Sequence, residues 1–280
     1  MENKMVIVTG ANSGIGKITA MSLAQKDYHV VMVCRNAEKG KAAQQEIIAT
    51  SNNKKVDLLL CDFSSLKQVR KLADTILASY EKINVLVNNA GMIAKQHSLT
   101  EEHYESTFAI NHLAPFLLTN LLLERIKATP NARIVTVASD AHKMTKAFDF
   151  GNLQAEKSFK QWEAYGLSKL CNIYFTYELA KRLENTGVTA NCLHPGVVRT
   201  NFGNEASKMI KIFMKLLGGF LLTPEKGAET SIFLASDDSV KDVNGKYFIK
   251  KRQALSSELS YNEDIARKLW EHSEKLVGLS

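Results

Sequence analysis

The chain has no apolar run long enough to cross a bilayer. Its longest, MIKIFMKLLGGFLL, stops at 14 residues and carries Lys211 and Lys215, where a spanning helix needs about 18. The opening, MENKMVIVTGA, enters a strand-like run without the long apolar stretch and small-residue cleavage site of a secretory signal. The expectation is a cytoplasmic chain with no transmembrane segment, leaving peripheral membrane contact open. Cysteine is scarce: Cys34, Cys61, Cys171 and Cys192 lie in or beside apolar segments and form no CxxC pair, which fits reduced core thiols and neither a zinc site nor a disulfide framework. The histidines, His97, His103, His112, His142 and His194 among them, have no metal-ligand spacing, so no metal is expected. Low-complexity tracts, internal linkers and repeats beyond the βαβ unit are missing. So is a basic helix or a basic patch interleaved with aromatics. The 36 Lys+Arg against 29 Asp+Glu, a net +7, are scattered and read as a solvated basic surface, with no nucleic-acid partner.

What is present is ordinary for a globular protein: 280 residues, 45% hydrophobic and 23% charged, which excludes disorder and collagen-like repetition. A single core is expected. Short, nearly continuous apolar runs recur at 5–10, 29–34, 56–62, 83–89, 132–139 and 188–196. Such runs suit strands of a parallel sheet covered on both faces, since a half-exposed strand would alternate. Helical patterns such as IGKITAMSLAQK and SLKQVRKLADTILASY separate them. A weaker strand at 246–249 and a helix from about Asn262 to Leu276 close the chain. The reading is an α/β, doubly wound parallel sheet of about seven strands, a Rossmann fold in one domain over 1–280, with ligands at the carboxyl ends of the strands.

Three constellations carry chemistry. The first strand runs into TGANSGIGK, placing Gly10, Gly14 and Gly16 between strand and helix. There, glycines allow close backbone approach and the helix N-terminus offers free N–H groups to a pyrophosphate. The spacing is GxxxGxG rather than GxGxxG. After the second strand, where an acid would hold the ribose 2′-hydroxyl of NAD, the chain reads Cys34, Arg35, Asn36. Arg35 offers a planar cation suited to a 2′-phosphate, which makes NADP(H) the expected cofactor and NAD(H) the second choice. Third, YGLSK puts Tyr165 and Lys169 four residues apart on one helix face, with Ser139 at the end of the fifth strand. A tyrosine is a poor base near neutrality, and lowering its pKa by ~3 units takes roughly 4 kcal/mol of anion stabilisation, which Lys169 and an oxidised nicotinamide would supply.

With TGANSGIG, CDF (61–63), NNAG (88–91), Asn111, Ser139, YGLSK and HPGVVRT (194–200) in hand, the chain resembles the short-chain dehydrogenase/reductase family over almost its whole length. SDAHK, AYGLSKLCNIYFTYELAKRL and LWEHSEKLVGL are similar to the branch containing retinol dehydrogenases and the WW-domain oxidoreductase, although Ser139-Asp140 stands where members often have two serines. The resemblance implies a catalytic tetrad of Asn111, Ser139, Tyr165 and Lys169. Cofactor contacts are implied from Gly10, Asn12, Ser13, Gly14, Ile15 and Gly16, with Arg35 and Asn36 beyond the second strand. Asp62 and Phe63 would flank the adenine, and Asn88, Asn89, Ala90 and Gly91 would support the cofactor. Pro195, Gly196, Val198 and Thr200 would hold the nicotinamide and pyrophosphate. The implied activity is an NADP-dependent oxidoreductase interconverting a lipophilic, retinal-like carbonyl and an alcohol. Ser139 would hold the substrate oxygen and Tyr165 exchange its proton, while Lys169 lowers the tyrosine pKa and binds ribose and Asn111 supports a water relay. The same resemblance implies a homo-oligomer, dimer or tetramer. The rival reading is a non-catalytic dinucleotide-binding sensor or interaction protein. Residues 204–222, apolar at Met209, Ile210, Ile212, Phe213, Met214, Leu216 and Leu217 with a basic edge of Lys208, Lys211 and Lys215, read as a substrate lid hinged at Gly218-Gly219.

Overall fold

The computed structural model describes residues 4–198 and 221–280. The segment read as a lid lies outside the described residues except for Leu221 and Leu222, and Thr200 lies outside them too.

Strands and helices alternate: β1 Met5–Thr9, α1 Gly14–Ala24, β2 His29–Cys34, α2 Ala37–Ser51, β3 Val56–Leu60, α3 Leu66–Ser79 and β4 Val85–Asn88. There follow α4 Ser106–Phe108, a π turn Ala109–Leu113, α5 Ala114–Lys127, β5 Arg133–Val137, α6 Gln161–Arg182 and β6 Thr189–His194. The chain closes with α7 Pro224–Ser236, β7 Tyr247–Ile249, β8 Arg252–Ala254 and α8 Glu263–Val277. The described strands form one sheet in the order β3-β2-β1-β4-β5-β6-β7-β8. Every neighbouring pair is parallel except the β7–β8 hairpin.

The continuous hydrophobicity of β1 has a direct cause. Successive side chains point to opposite faces: Met5 and Ile7 join the core under α3, α5, α6 and α8, whereas Val6 and Val8 join the core under α1, α2 and α7. Each face is therefore buried, as a doubly wound sheet requires. Two readings need correcting. β3 is an edge strand, mostly half-buried and ending on an exposed Leu60. The sheet also has eight strands instead of about seven, because the chain turns back after β7 through Lys250 and Lys251, with φ of 49° and 62°, and adds β8.

The expectation that no stretch could cross a bilayer rested on uninterrupted apolar runs and needs qualifying. Ser106–Lys127 forms a continuous helical stretch of 22 residues, long and apolar enough by composition to span a membrane although polar residues interrupt it, and 72% of its apolar window is packed inside the molecule. It is the central helix under the sheet. The four cysteines are buried and free.

β1, β2 and β3 run outward to one side, and the chain then returns to place β4 on the other side of β1. At that reversal the loops leaving β1 and β4 diverge and open a crevice at the carboxyl ends of the strands.

Candidate active site

The crevice is a cleft of about 620 Å³ bounded by the ends of β1 to β6. Of the residues anticipated from sequence, it is lined by Gly10, Asn12, Ser13, Gly14, Ile15 and Gly16 from the first turn. Arg35 follows from the end of β2, Asp62 and Phe63 from the end of β3, and Asn89, Ala90 and Gly91 from the end of β4. Ser139, Tyr165, Lys169, Pro195, Gly196 and Val198 complete the other half.

The glycine turn is built for close contact. A Cβ on Gly16 would lie 2.3 Å from the Gly10 carbonyl oxygen and 2.4 Å from Asn89 Nδ2, so only glycine lets α1 start this close to β1. Asn89 donates through Nδ2 to the Thr9 carbonyl at 2.7 Å, and the backbone N–H groups of Asn89 and Ala90 both donate to Thr9 Oγ1 at 2.9 Å. α1 begins with no side-chain cap from Ser13 and no acidic residue in its first turn. Its N-terminal N–H groups and dipole thus point into the cleft without a carboxylate to neutralise them. That cradle fits a dinucleotide pyrophosphate.

The β2 end places Arg35 and, half a turn into α2, Lys39 along the cleft. Lys39 was not anticipated: four residues after Arg35 it reads as a surface lysine, and only the α2 start brings it round. Asn36, assigned to the cofactor from sequence, instead caps α2, its Oδ1 accepting from Lys39 N–H at 2.9 Å, and it does not line the cleft. Asn88 is corrected as well. It is buried, with Nδ2 donating to Thr119 Oγ1 on α5 at 2.9 Å, and its neighbour Asn89 faces the cleft.

At the other end, Ser139 follows β5 and opens a 3-10 turn, Asp140–Met144, with its Oγ accepting from Ala141 N–H at 3.2 Å. Tyr165 and Lys169 sit one turn apart on α6. A Cβ on Gly166 would come within 2.7 Å of the Ala141 carbonyl oxygen. Glycine beside the tyrosine therefore lets α6 press against the serine turn. Burial pushes the Tyr165 pKa up to about 12, with the nearby Ser139 hydroxyl pulling the other way. Burial also lowers Lys169 to about 8. The Lys169 ammonium donates to the Val137 carbonyl at 2.9 Å and lies 5.7 Å from the centre of the Tyr165 ring.

Asn111 stands behind this group and is fully buried. Its Oδ1 accepts from Met92 N–H at 2.7 Å, and its Nδ2 donates to the Met92 carbonyl and to Ser168 Oγ, each at 2.9 Å. The side chain thus ties the loop after β4 to α6. The π turn that holds Asn111 has a sequence cause: Pro115, four residues on, has no N–H to give the Asn111 carbonyl, and its ring would clash there. The helix widens, and the N–H of Ala114 reaches back five residues to Ala109.

Fold and site together define an oxidoreductase of the Rossmann type, with a strand-end serine and a tyrosine–lysine pair at one end of a dinucleotide cleft. The chain belongs to the short-chain dehydrogenase family, whose model matches residues 4–211. It is 40% identical to retinol dehydrogenase 13 of Homo sapiens, over 99% of this chain and 85% of that one. Among solved structures it resembles a protein from Mycobacterium paratuberculosis at 31% identity and a TM-score of 0.79, covering 98% of this chain and 93% of that chain. It also shares its fold with a short-chain dehydrogenase from Escherichia coli CFT073 complexed with NADPH, at 22% identity, a TM-score of 0.70, and 90% and 98% coverage.

Proposed function

We propose that the chain is an NADP(H)-dependent oxidoreductase that interconverts a lipophilic carbonyl compound and its alcohol. The observation that carries this reading is the meeting of Ser139, Tyr165 and Lys169 at one end of a cleft whose other end presents Arg35 and Lys39. Two cations beside the β2 end, with Arg35 and Asn36 rather than a carboxylate directly after that strand, suit a 2′-phosphate and disfavour a bare ribose diol. The short-chain dehydrogenase of this fold that was solved with NADPH agrees with that choice, and the likeness to a retinol dehydrogenase favours a retinal-like, apolar substrate.

The bound nicotinamide supplies or accepts the hydride, and the protein's task is orientation and proton transfer. Ser139 Oγ donates to the substrate oxygen. Tyr165, held protonated by burial, gives its proton to that oxygen as the carbonyl is reduced. The Lys169 ammonium, when protonated, steadies the phenolate left behind and is placed to donate to a ribose hydroxyl. Asn111 has spent its side chain on Met92 and Ser168, so a water relay toward Lys169 would rest on its main-chain carbonyl, which Pro115 leaves without the usual helical donor.

The test is turnover of retinal, aliphatic aldehydes, steroids and quinones with NADPH and with NADH, run beside Tyr165→Phe. The variant keeps the ring and loses the proton donor, so kcat should fall about 10²- to 10⁴-fold while NADPH affinity stays within about threefold. Trp162, edge-on to the Tyr165 ring at 5.9 Å, gives a fluorescence signal for that binding. Near-parental kcat in Tyr165→Phe, or NADPH binding with no turnover of any carbonyl by the parent, overturns the proposal.

A further inference from the structure

Behind Ser139 lies a histidine that the mechanism above does not use. His142, in the middle of the 3-10 turn, is fully buried, and its two ring nitrogens meet partners of fixed polarity. Nδ1 is 2.6 Å from the main-chain carbonyl oxygen of Ser139, which can only accept. Nε2 is 2.9 Å from the backbone N–H of Ser257, which can only donate. The ring is therefore neutral and carries its proton on Nδ1, a tautomer set by the chain itself. Burial, which lowers its pKa, keeps it so. The ring packs edge-on against Tyr247 of β7 at 5.3 Å, and the Tyr247 hydroxyl donates to Asp140 Oδ1 at 3.0 Å.

The Ser139 carbonyl already accepts from the His142 backbone N–H at 3.1 Å, and that bond closes the turn upon itself. The shorter bond from the ring is just as local, but the same ring accepts from Ser257 N–H through Nε2, and so ties the turn to a loop more than a hundred residues later in the chain. Ser139 has just left the ladder of β5, so its peptide orientation, and with it the direction of its hydroxyl, depends on what holds this turn.

We propose that His142 is a positioning residue for the reaction, joining Ser139 to the loop after β8 so that the serine hydroxyl is held toward Tyr165 and the substrate oxygen. The inference rests on the assignment of Ser139 to the substrate oxygen. It makes Ser257 a participant as well, through its N–H alone.

Bond counting from Cβ separates the two links. An asparagine places its amide nitrogen where Nδ1 stands, so His142→Asn retains a donor for the Ser139 carbonyl. A glutamine reaches as far as Nε2, so His142→Gln retains an acceptor for Ser257 and loses the serine bond. His142→Phe keeps a ring against Tyr247 and loses both bonds. Ser257→Pro removes the N–H, together with a buried hydroxyl that makes no hydrogen bond, at a residue whose φ of −65° already suits proline. Steady-state kinetics with NADPH and a carbonyl substrate, together with melting temperatures, read the outcome.

His142→Gln and His142→Phe should lose about ten- to a hundredfold in kcat with KM for NADPH unchanged, the scale set by a misplacement of about 1 Å. His142→Asn, which keeps the serine bond and loses the loop, should recover part of that loss and match Ser257→Pro, each lowering kcat several-fold. A purely structural histidine would move the melting temperature and both kinetic constants together, with no rescue by asparagine. Parental kcat in His142→Gln, His142→Phe and Ser257→Pro, or equal losses in His142→Asn and His142→Phe, overturns the inference. Ser139→Ala, assayed in parallel, separates the two failures. If it is inactive while the His142 variants are normal, only the positioning role falls; if it turns over normally, the reading of Ser139 falls and the positioning role with it.

Discussion

At the scale of single residues, burial pulls the two central side chains apart in pKa. In water tyrosine and lysine titrate close together near 10. Here the same desolvation drives Tyr165 up to about 12 and Lys169 down to about 8, because each group is pushed toward its neutral form. Lys169 is then cationic below about pH 8 and neutral above. An anionic dinucleotide meets an ammonium only in the first case, so kcat/KM for NADPH, which reports the free enzyme, should fall by up to about tenfold per pH unit above pH 8. A profile flat to pH 9.5 would show that the ammonium is not required for capture. The principal site residues were legible in sequence because their meaning lies in local spacing: glycines at a strand-to-helix turn, a tyrosine and a lysine one helical turn apart, a serine at a strand end. Lys39 and the link through His142 were not, since each depends on a neighbour brought up by tertiary packing. Asn88 and Asn89 show a finer limit. Adjacent residues at a strand end face opposite ways, and both are asparagine, so the pattern cannot say which one faces the cleft.

At the scale of elements, the central helical stretch couples the site to the far side of the molecule. His112, next to Asn111, packs among Phe108, Phe116 and Phe175 and places Nε2 2.9 Å from Ser273 Oγ on α8. Burial lowers its pKa to about 3. The folded protein therefore holds this ring neutral, whereas the unfolded chain protonates it below its ordinary value of 6.5. Stability from this group is fully present above pH 6.5 and is lost as pH falls from there toward 3, at up to about 1.4 kcal/mol per pH unit. His112→Asn should give a stability profile between pH 6 and 4.5 that is shallower by about one proton. Urea melts across that range measure it, and an unchanged slope would mean that His112 is protonated in the fold. The elements themselves were legible wherever two-sided burial left unbroken apolar runs. β8 was not, for a physical reason: a two-residue hairpin with both central residues at positive φ is normally announced by Asn-Gly or Gly-Gly, and here two lysines occupy it. The π turn had a visible cause in Pro115, but the sequence FAINHLAPFLLTN otherwise reads as one uninterrupted helix.

At the scale of the whole molecule, the cleft draws on the ends of six strands, from Gly10 to Val198. A dinucleotide seated there touches elements from both sides of the β1–β4 reversal, so its binding should stabilise the fold as a unit. At a hundred times its dissociation constant a ligand adds about 2.7 kcal/mol, which for a domain of this size raises the melting temperature by roughly 5–10 °C. NADPH should give a shift of that order, and NADH at the same concentration a smaller one, because only the 2′-phosphate engages Arg35 and Lys39. Raising salt from about 50 to 500 mM should shrink the difference, since the exposed cations at the β2 end are screened. Replacing Arg35 by Asp should reverse the order: a carboxylate accepts from the ribose hydroxyls and repels the phosphate, so NADH becomes the better stabiliser and the ratio of kcat/KM moves with it. Thermal melts of parent and variant with each cofactor, at two salt concentrations, decide the matter. A parent stabilised equally by NADH, or an Arg35→Asp variant that still prefers NADPH, would remove Arg35 as the reader of the 2′-phosphate and leave the cofactor preference to be set by Lys39 or by residues outside the cleft's β2 end.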